Sequence, residues 1–289
     1  MTEAIAGPRC PICGNDRWHD RALPECTHCG LVVATLAFDA ATLRDAIAES
    51  LRDGTPERGF ALAPHARRNA AWALGLVDGE PATPCPHAVT LGMIARAREA
   101  DATAAMLTDL RPHFPRPIVL LDGTPDDAAS LAQAVPWAQV HAHPLNGDFA
   151  AQRNRVQALA DGWVLQLDSD ETPDAALLAA LGWLTEAADR DGLWALGLPR
   201  RNLVDGAQSA LWPDIQYRLT RAHIRFAGTV HERPVVPFER TSLALAGAID
   251  HHLVRARVIE RSRVYEAMSA GAGRPGDEAA LLRPFTAAT

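Results

Sequence analysis

Residues 117–143, PIVLLDGTPDDAASLAQAVPWAQVHAH, decide how this chain is built. A short apolar run, Ile118 to Leu121, stops at Asp122-Gly123. PDDAASLAQA (125–134) then repeats apolar residues at helical spacing, and WAQVHAH (137–143) returns to a strand-like pattern. The alternation continues on both sides: AVTLGMIA (88–95) reads as strand, EADATAAMLTDL (99–110) as helix, DFAAQRNRVQALA (148–160) as helix and GWVLQL (162–167) as strand. Strands alternating with helices predict an α/β fold, a mostly parallel sheet flanked by helices. Ligands of such sheets sit beyond the carboxyl ends of the strands, where Arg96, Asp122 and Asp168-Ser169-Asp170 all fall.

The last of these ends is the sharpest. VLQLDSDET (164–172) runs from apolar strand into Asp168, Asp170 and Glu171, three carboxylates within four residues. Like charges so close repel one another, so water or a cation must relieve them. A local reading makes Asp170 or Thr172 the N-cap of a helix starting at Pro173, with proline in the first turn; a Thr172 cap leaves both aspartates free to hold a cation, so the two readings coexist.

At 289 residues and 48% hydrophobic content the chain can bury a sizeable core. The net charge of -7 argues against nucleic acid as a partner, because such proteins carry a strongly basic face. No apolar run reaches the roughly 18 to 20 residues of a membrane span, and Met1–Gly7 lacks the layout of a signal peptide, so a cytoplasmic location is expected. The basic residues are all arginine, so any anion site must use Arg, His, backbone amides or metal.

Four of the five cysteines form two pairs, Cys10-Pro-Ile-Cys13 and Cys26-Thr-His-Cys29, each followed by glycine. Thiolates two residues apart turn inward from a tight knuckle, and two knuckles complete a tetrahedral structural zinc site. A disulfide pair is the competing reading, disfavoured by the spacing and the lack of a secretory signal. The expected division is a zinc ribbon at 1–34, a helical and Pro-rich linker at 35–86 holding the leftover Cys85, a main domain at 87–269 and a flexible tail at 270–289. Such a ribbon can present an acceptor, brace the larger domain or mediate homodimerisation.

The segments VTLGMIAR, IVLLDGTPDD, GDFAAQRN, WVLQLDSDE, WPDIQYRLTR and FAGTVHE, in that order, resemble family 2 glycosyltransferases of the GT-A fold across residues 88–265. The nearest likeness is to bacterial members with a DFAAARN, DADE, VHE pattern, a group that includes enzymes glycosylating peptides. The resemblance implies a metal-dependent, inverting transfer from a nucleotide sugar, a UDP-sugar above all, to a peptide or small-molecule acceptor. It implies Asp170 as direct ligand to Mn2+ or Mg2+, with Asp168 on the ribose or a metal-bound water. Asp122 would accept from the uracil N3–H, Arg96 would hold the nucleotide edge and Arg153 the diphosphate. A histidine from the C-terminal region would complete the metal site; neighbours on a strand point oppositely, so only one of His251 and His252 can face it, and His251 is chosen. Inverting transfer needs a general base, for which Glu232 is the first candidate and Asp214 the second. Arg218 and Arg221 read as phosphate contacts or surface charges. The chain departs from the family at Ala97, where an R-N-E motif would carry asparagine. That departure favours an alternative, a degenerate GT-A domain serving as a zinc-ribbon-bearing recruiting module. Nucleotidyl transfer would want a Gly-rich basic loop early in the sheet, and LGMIARARE offers only arginine.

Overall fold

The computed structural model describes residues 4–76, 89–228, 231–268 and 273–286; the Pro-rich stretch 79–86 with Cys85 lies outside them. At the N-terminal end, β1 (Ala4–Ala6), β2 (Arg17–His19), β3 (Glu25–Cys26), β4 (Val32–Val33) and β5 (Phe60–Ala61) form an antiparallel sheet in chain order. Helix α1 (Ala40–Asp53) precedes β5 and α2 (Pro64–Ala73) follows it. The helix α1 starts at Asp39, whose carboxylate accepts from the Thr42 N–H, and stops at Gly54 in the left-handed conformation. Pro64 opens α2, where a missing N–H costs nothing. The ribbon does not stand on its cysteines alone: Trp18, Leu31, Ile47 and Ala70 pack with the four cysteines, and Ile215 and Leu243 of the larger sheet close the same core.

The expected alternation follows: β6 (Val89–Arg96), α3 (Ala100–Leu110), β7 (Ile118–Asp122), α4 (Pro125–Ala134), β8 (Gln139–Ala142), α5 (Phe149–Leu159) and β9 (Trp163–Asp168). Then come β10 (Glu171–Pro173), α6 (Ala175–Arg190), β11 (Ala195–Val204), β12 (Ala207–Gln208), β13 (Asp214–Arg221), β14 (Phe226–Ala227), β15 (Arg233–Pro234), β16 (Thr241–Leu243), β17 (Ile249–Leu253), α7 (Arg255–Met268) and α8 (Pro275–Leu282). The main sheet runs β8-β7-β6-β9-β13-β11-β17-β10, with β12 and β16 also paired to β11. The strands β8, β7, β6 and β9 are mutually parallel, and β13 is antiparallel to both neighbours. Beyond it, β16 and β17 run parallel to β11 while β10 and β12 oppose their partners. The sheet is thus mixed, parallel in its first half.

Two features of this order place the site. The chain winds outward from β6 to β8 and then crosses back to β9, which opens a crevice beyond the carboxyl ends of β6 and β9. A Cβ at Gly92 would sit 2.2 Å from Val156 Cγ1, so glycine lets α5 close on β6 and carry Arg153 into the sheet.

Two expectations are corrected. Glu171–Pro173 does not lead into a helix capped by Asp170 or Thr172; it pairs with β17, and α6 begins at Ala175 with Asp174 accepting from the Leu177 N–H at 2.8 Å. Pairing with β17 holds 171–173 extended, so the cap falls later. The stretch from 270, expected to be loose, carries α8, which packs Leu281 and Leu282 against Val204, Leu253 and Val258.

Candidate functional site

Each knuckle turns on its glycine, with Gly14 donating to the Cys10 carbonyl at 2.9 Å and Gly30 to that of Cys26 at 3.1 Å. The four sulfurs are buried and lie within 4.8 Å of one another, with Cys10–Cys29 and Cys13–Cys26 each 3.5 Å apart. That is too long for a disulfide of about 2.05 Å and close to the ~3.8 Å edge of a tetrahedron with metal–sulfur bonds of about 2.3 Å. The cysteines are therefore positioned to bind a metal such as zinc. Contact among them and burial push Cys13 and Cys29 up, while Cys26 is held down as the shared acceptor. His19 and His28 take no place in the cluster.

The acidic rim is resolved differently. Arg153, expected at a diphosphate, is buried at 1% exposure: Nη2 contacts both oxygens of Asp168, at 2.9 and 3.2 Å, and Nε contacts Glu232. Arg218 on β13 reaches the same group, its Nη2 2.8 Å from Asp168 Oδ2 and 3.1 Å from Glu171 Oε1, with Nη1 3.5 Å from Glu232. Glu171, fully buried, also takes Arg200 Nη1 at 2.9 Å. Asp168 is thus tied to two arginines while it still lines the cleft, and Arg153 is a buried counter-charge to carboxylates. Burial, with repulsion from Asp170 and Glu232, pushes Asp168 up to about 6. Burial and Asp168 push Glu171 up to about 8. Burial works against the charge of Arg153, yet Asp168 and Glu232 hold its pKa above the ordinary value.

Asp214, the second base candidate, is likewise committed. Arg200 contacts its Oδ2 through Nε at 2.9 Å and Nη2 at 2.6 Å, and Asn202 and Gln216 donate to it as well. Burial opposes ionisation, but Arg200 outweighs it and brings Asp214 down to about 2, too weak a base to take a proton near neutral pH. Asn154 clamps Phe226 from both sides, donating to its carbonyl at 2.9 Å and accepting its N–H at 2.7 Å; this fixes the strand before Glu232.

Asp170 stands apart. The register of β10 on β17 sets Glu171 opposite His251, and Asp170 Oδ2 lies 3.5 Å from His251 Nε2. The Asn202 amide nitrogen faces two acceptors, Asp214 Oδ2 and the Leu211 carbonyl, so its oxygen faces His251 Nδ1 at 2.7 Å. Nδ1 therefore carries the proton and donates it, which leaves the Nε2 lone pair directed at the carboxylate. Burial beside Arg200 brings His251 down to about 4, so the imidazole is neutral at pH 7. Burial opposes ionisation of Asp170 too, but the charges of Arg261 and Arg200 favour it, and its pKa is held below the ordinary value. His252, by contrast, is exposed and meets Thr172 at 3.0 Å. A carboxylate and an imidazole lone pair facing each other suit a shared cation. Among the described residues only the cysteines bring three or more such ligands together.

Asp170 and Asp168 open on a cleft of about 430 Å³ at the crevice between β6 and β9. Arg96, Asp122 and Ser169 line it, together with Arg257 and Arg261 on α7. Arg96 Nη1 lies 3.4 Å from Glu99, and Asp122 Oδ1 accepts the Leu145 N–H at 3.0 Å. A smaller cavity of about 140 Å³ lies behind, lined by Glu232, His231, Asp214 and Arg218, and it meets the cleft at Asp168, Phe149, Arg261 and Tyr265. Arg200, Asn202, Arg261 and Tyr265 escape a reading of motifs, because strands and a helix far along the chain deliver them and no local spacing marks them. Comparison with family models gives no match, and a search of curated proteins gives none. Among the described residues no helix is long and apolar enough to cross a membrane.

Proposed function

We propose that the protein is a metal-dependent, inverting glycosyltransferase of the GT-A fold that takes a nucleotide sugar, preferably a UDP-sugar, in the 430 Å³ cleft. One observation carries this reading: the Asp170 carboxylate, which lines the cleft beyond β9, and the His251 imidazole, which lines the adjoining inner cavity, face each other 3.5 Å apart. Two protein ligands suit Mn2+ or Mg2+ shared with a diphosphate, which supplies oxygens of its own. The ion, when bound, supplies charge neutralisation for the departing nucleoside diphosphate.

The chain's own residues do the rest. Arg257 and Arg261 face the cleft and take the diphosphate contacts expected of Arg153, while Arg153 and Arg218 hold Asp168 and Glu232 in place. In the transfer, the acceptor heteroatom bonds to the anomeric carbon as the bond from that carbon to the diphosphate breaks, its electron pair leaving with the nucleoside diphosphate. The acceptor proton passes to a carboxylate, and Glu232, lining the inner cavity, is the candidate. Asp122 and Arg96 are assigned to the uracil and the nucleotide edge.

In calorimetry, Mn2+ should tighten UDP binding by at least about tenfold, or ~1.4 kcal/mol. Asp170→Ala should remove that increment, and Glu232→Gln should keep UDP binding but lose transfer. Equal UDP affinity with and without Mn2+ would overturn the assignment. It would favour the second reading, a recruiting module, which has its own support: Arg153 and Arg218 satisfy Asp168 and Glu232 from within the protein.

A further inference from the structure

The inner cavity opens away from the cleft into a groove of about 360 Å³ between the cysteine ribbon and α8. Cavity and groove share Leu211, Asp214, Arg233, Arg274 and Asp277, so ribbon groove, inner cavity and cleft adjoin one another in that order. The cavity, at about 140 Å³, falls well below the roughly 300 Å³ of a small-molecule site; it admits a side chain, not a whole acceptor.

The charge of the groove runs against the charge of the chain. Arg17 on β2, Arg233 on β15 and Arg283 after α8 line it, and none has an ion-pair or hydrogen-bond partner for its side chain among the described residues. Of the carboxylates there, Asp214 is held by Arg200 and Asp277 lies 3.7 Å from Arg274, which leaves Asp16 as the unpaired acid. The groove is therefore locally positive in a protein of net charge -7. Along its ribbon side runs β1, the edge of the small sheet, which pairs among the described residues only with β2. Its exposed Ala4 and Ala6 offer no bulk against an added extended chain.

We infer that the groove between ribbon and α8 is the acceptor entrance, and that its occupant is an extended acidic polypeptide segment. One side chain of this segment reaches through the inner cavity toward Glu232. The ribbon is then one wall of the substrate path. What happens at the inner end rests on the glycosyltransferase reading; binding in the groove does not.

The test uses the full chain and two fluorescein-labelled peptides, a Glu-rich one carrying a single serine and its Lys-rich counterpart, with binding followed by anisotropy. The acidic peptide should bind at least about tenfold more tightly than the basic one and weaken with salt. Arg17→Glu with Arg283→Glu should cost about tenfold or more in peptide affinity and leave UDP binding with Mn2+ unchanged, since both residues lie outside the cleft. Equal affinity for the two peptides, or full peptide binding by the double variant, overturns the inference. Should the double variant misfold, the acidic-against-basic comparison on the unmodified chain still decides. Peptide binding without any UDP binding would keep the groove and sink the glycosyltransferase reading; UDP binding without charge-selective peptide binding would do the reverse.

Discussion

The ribbon and the rim of the main sheet both gather negative charge out of water, and they neutralise it in opposite ways. Four thiols meet within 4.8 Å and contact one another and Asn15. At the rim, Asp168, Glu171, Glu232 and Asp214 are each held by Arg153, Arg200 or Arg218. The first cluster calls for a cation from outside the protein, while the second is satisfied from within. Asp170, beside a neutral histidine, forms no ion pair with arginine among the described residues. An acidic motif is therefore divided in two: a frame braced by arginine, and Asp170, which meets a histidine instead.

The contrast can be broken most decisively at the ribbon. Replacing Cys10 and Cys26 with Ser should release about one metal ion per chain, measured by elemental analysis. Thermal unfolding should collapse with it, because structural zinc carries on the order of 10 kcal/mol and this core extends to Ile215 and Leu243. Unchanged metal content and melting would mean that the thiols need no cation.

A smaller effect sharpens the other side. Arg153→Met should destabilise the chain by about 3–5 kcal/mol in denaturant unfolding, because Asp168 and Glu232 would stay inside with reduced counter-charge. Adding Asp168→Asn and Glu232→Gln should restore part of that loss. A cost near zero would show that the frame is not held by its arginine.

The smallest effect is a pH dependence. Asp214 titrates near 2 in the folded chain against an ordinary 3.8, a gap that corresponds to about 2 kcal/mol. A depressed carboxylate stabilises fully above its unfolded value and loses that contribution as pH falls through the folded one. Asp214→Asn should therefore cost about 2 kcal/mol near neutral pH and nothing below pH 2, read from unfolding at a series of pH values. Parallel curves for variant and wild type would assign the Arg200 pair no stability.

Much of this was legible in advance where the physics is local. The period of apolar residues marked the strands and helices from 89 to 168, and the paired cysteines marked the ribbon. Strand alternation implied that only one of His251 and His252 faces inward, and His251 is the buried one. Errors came where a distant partner intervened: β17 kept Glu171–Pro173 extended and moved the helix cap to Asp174, and Arg153 went to carboxylates rather than to a cleft wall. Nothing in GDFAAQRN states that Glu232 will lie against it.

By itself the sequence determined what short-range rules can carry: the alternation that builds the α/β sheet, the knuckles that bring thiols together and the crowding of carboxylates after β9. Only the tertiary structure decided which carboxylates are braced by arginine and which one meets a histidine instead. That choice depends on guanidinium groups brought from β11, β13 and α5, and an ion pair across a fold has no periodicity along the chain by which to announce itself.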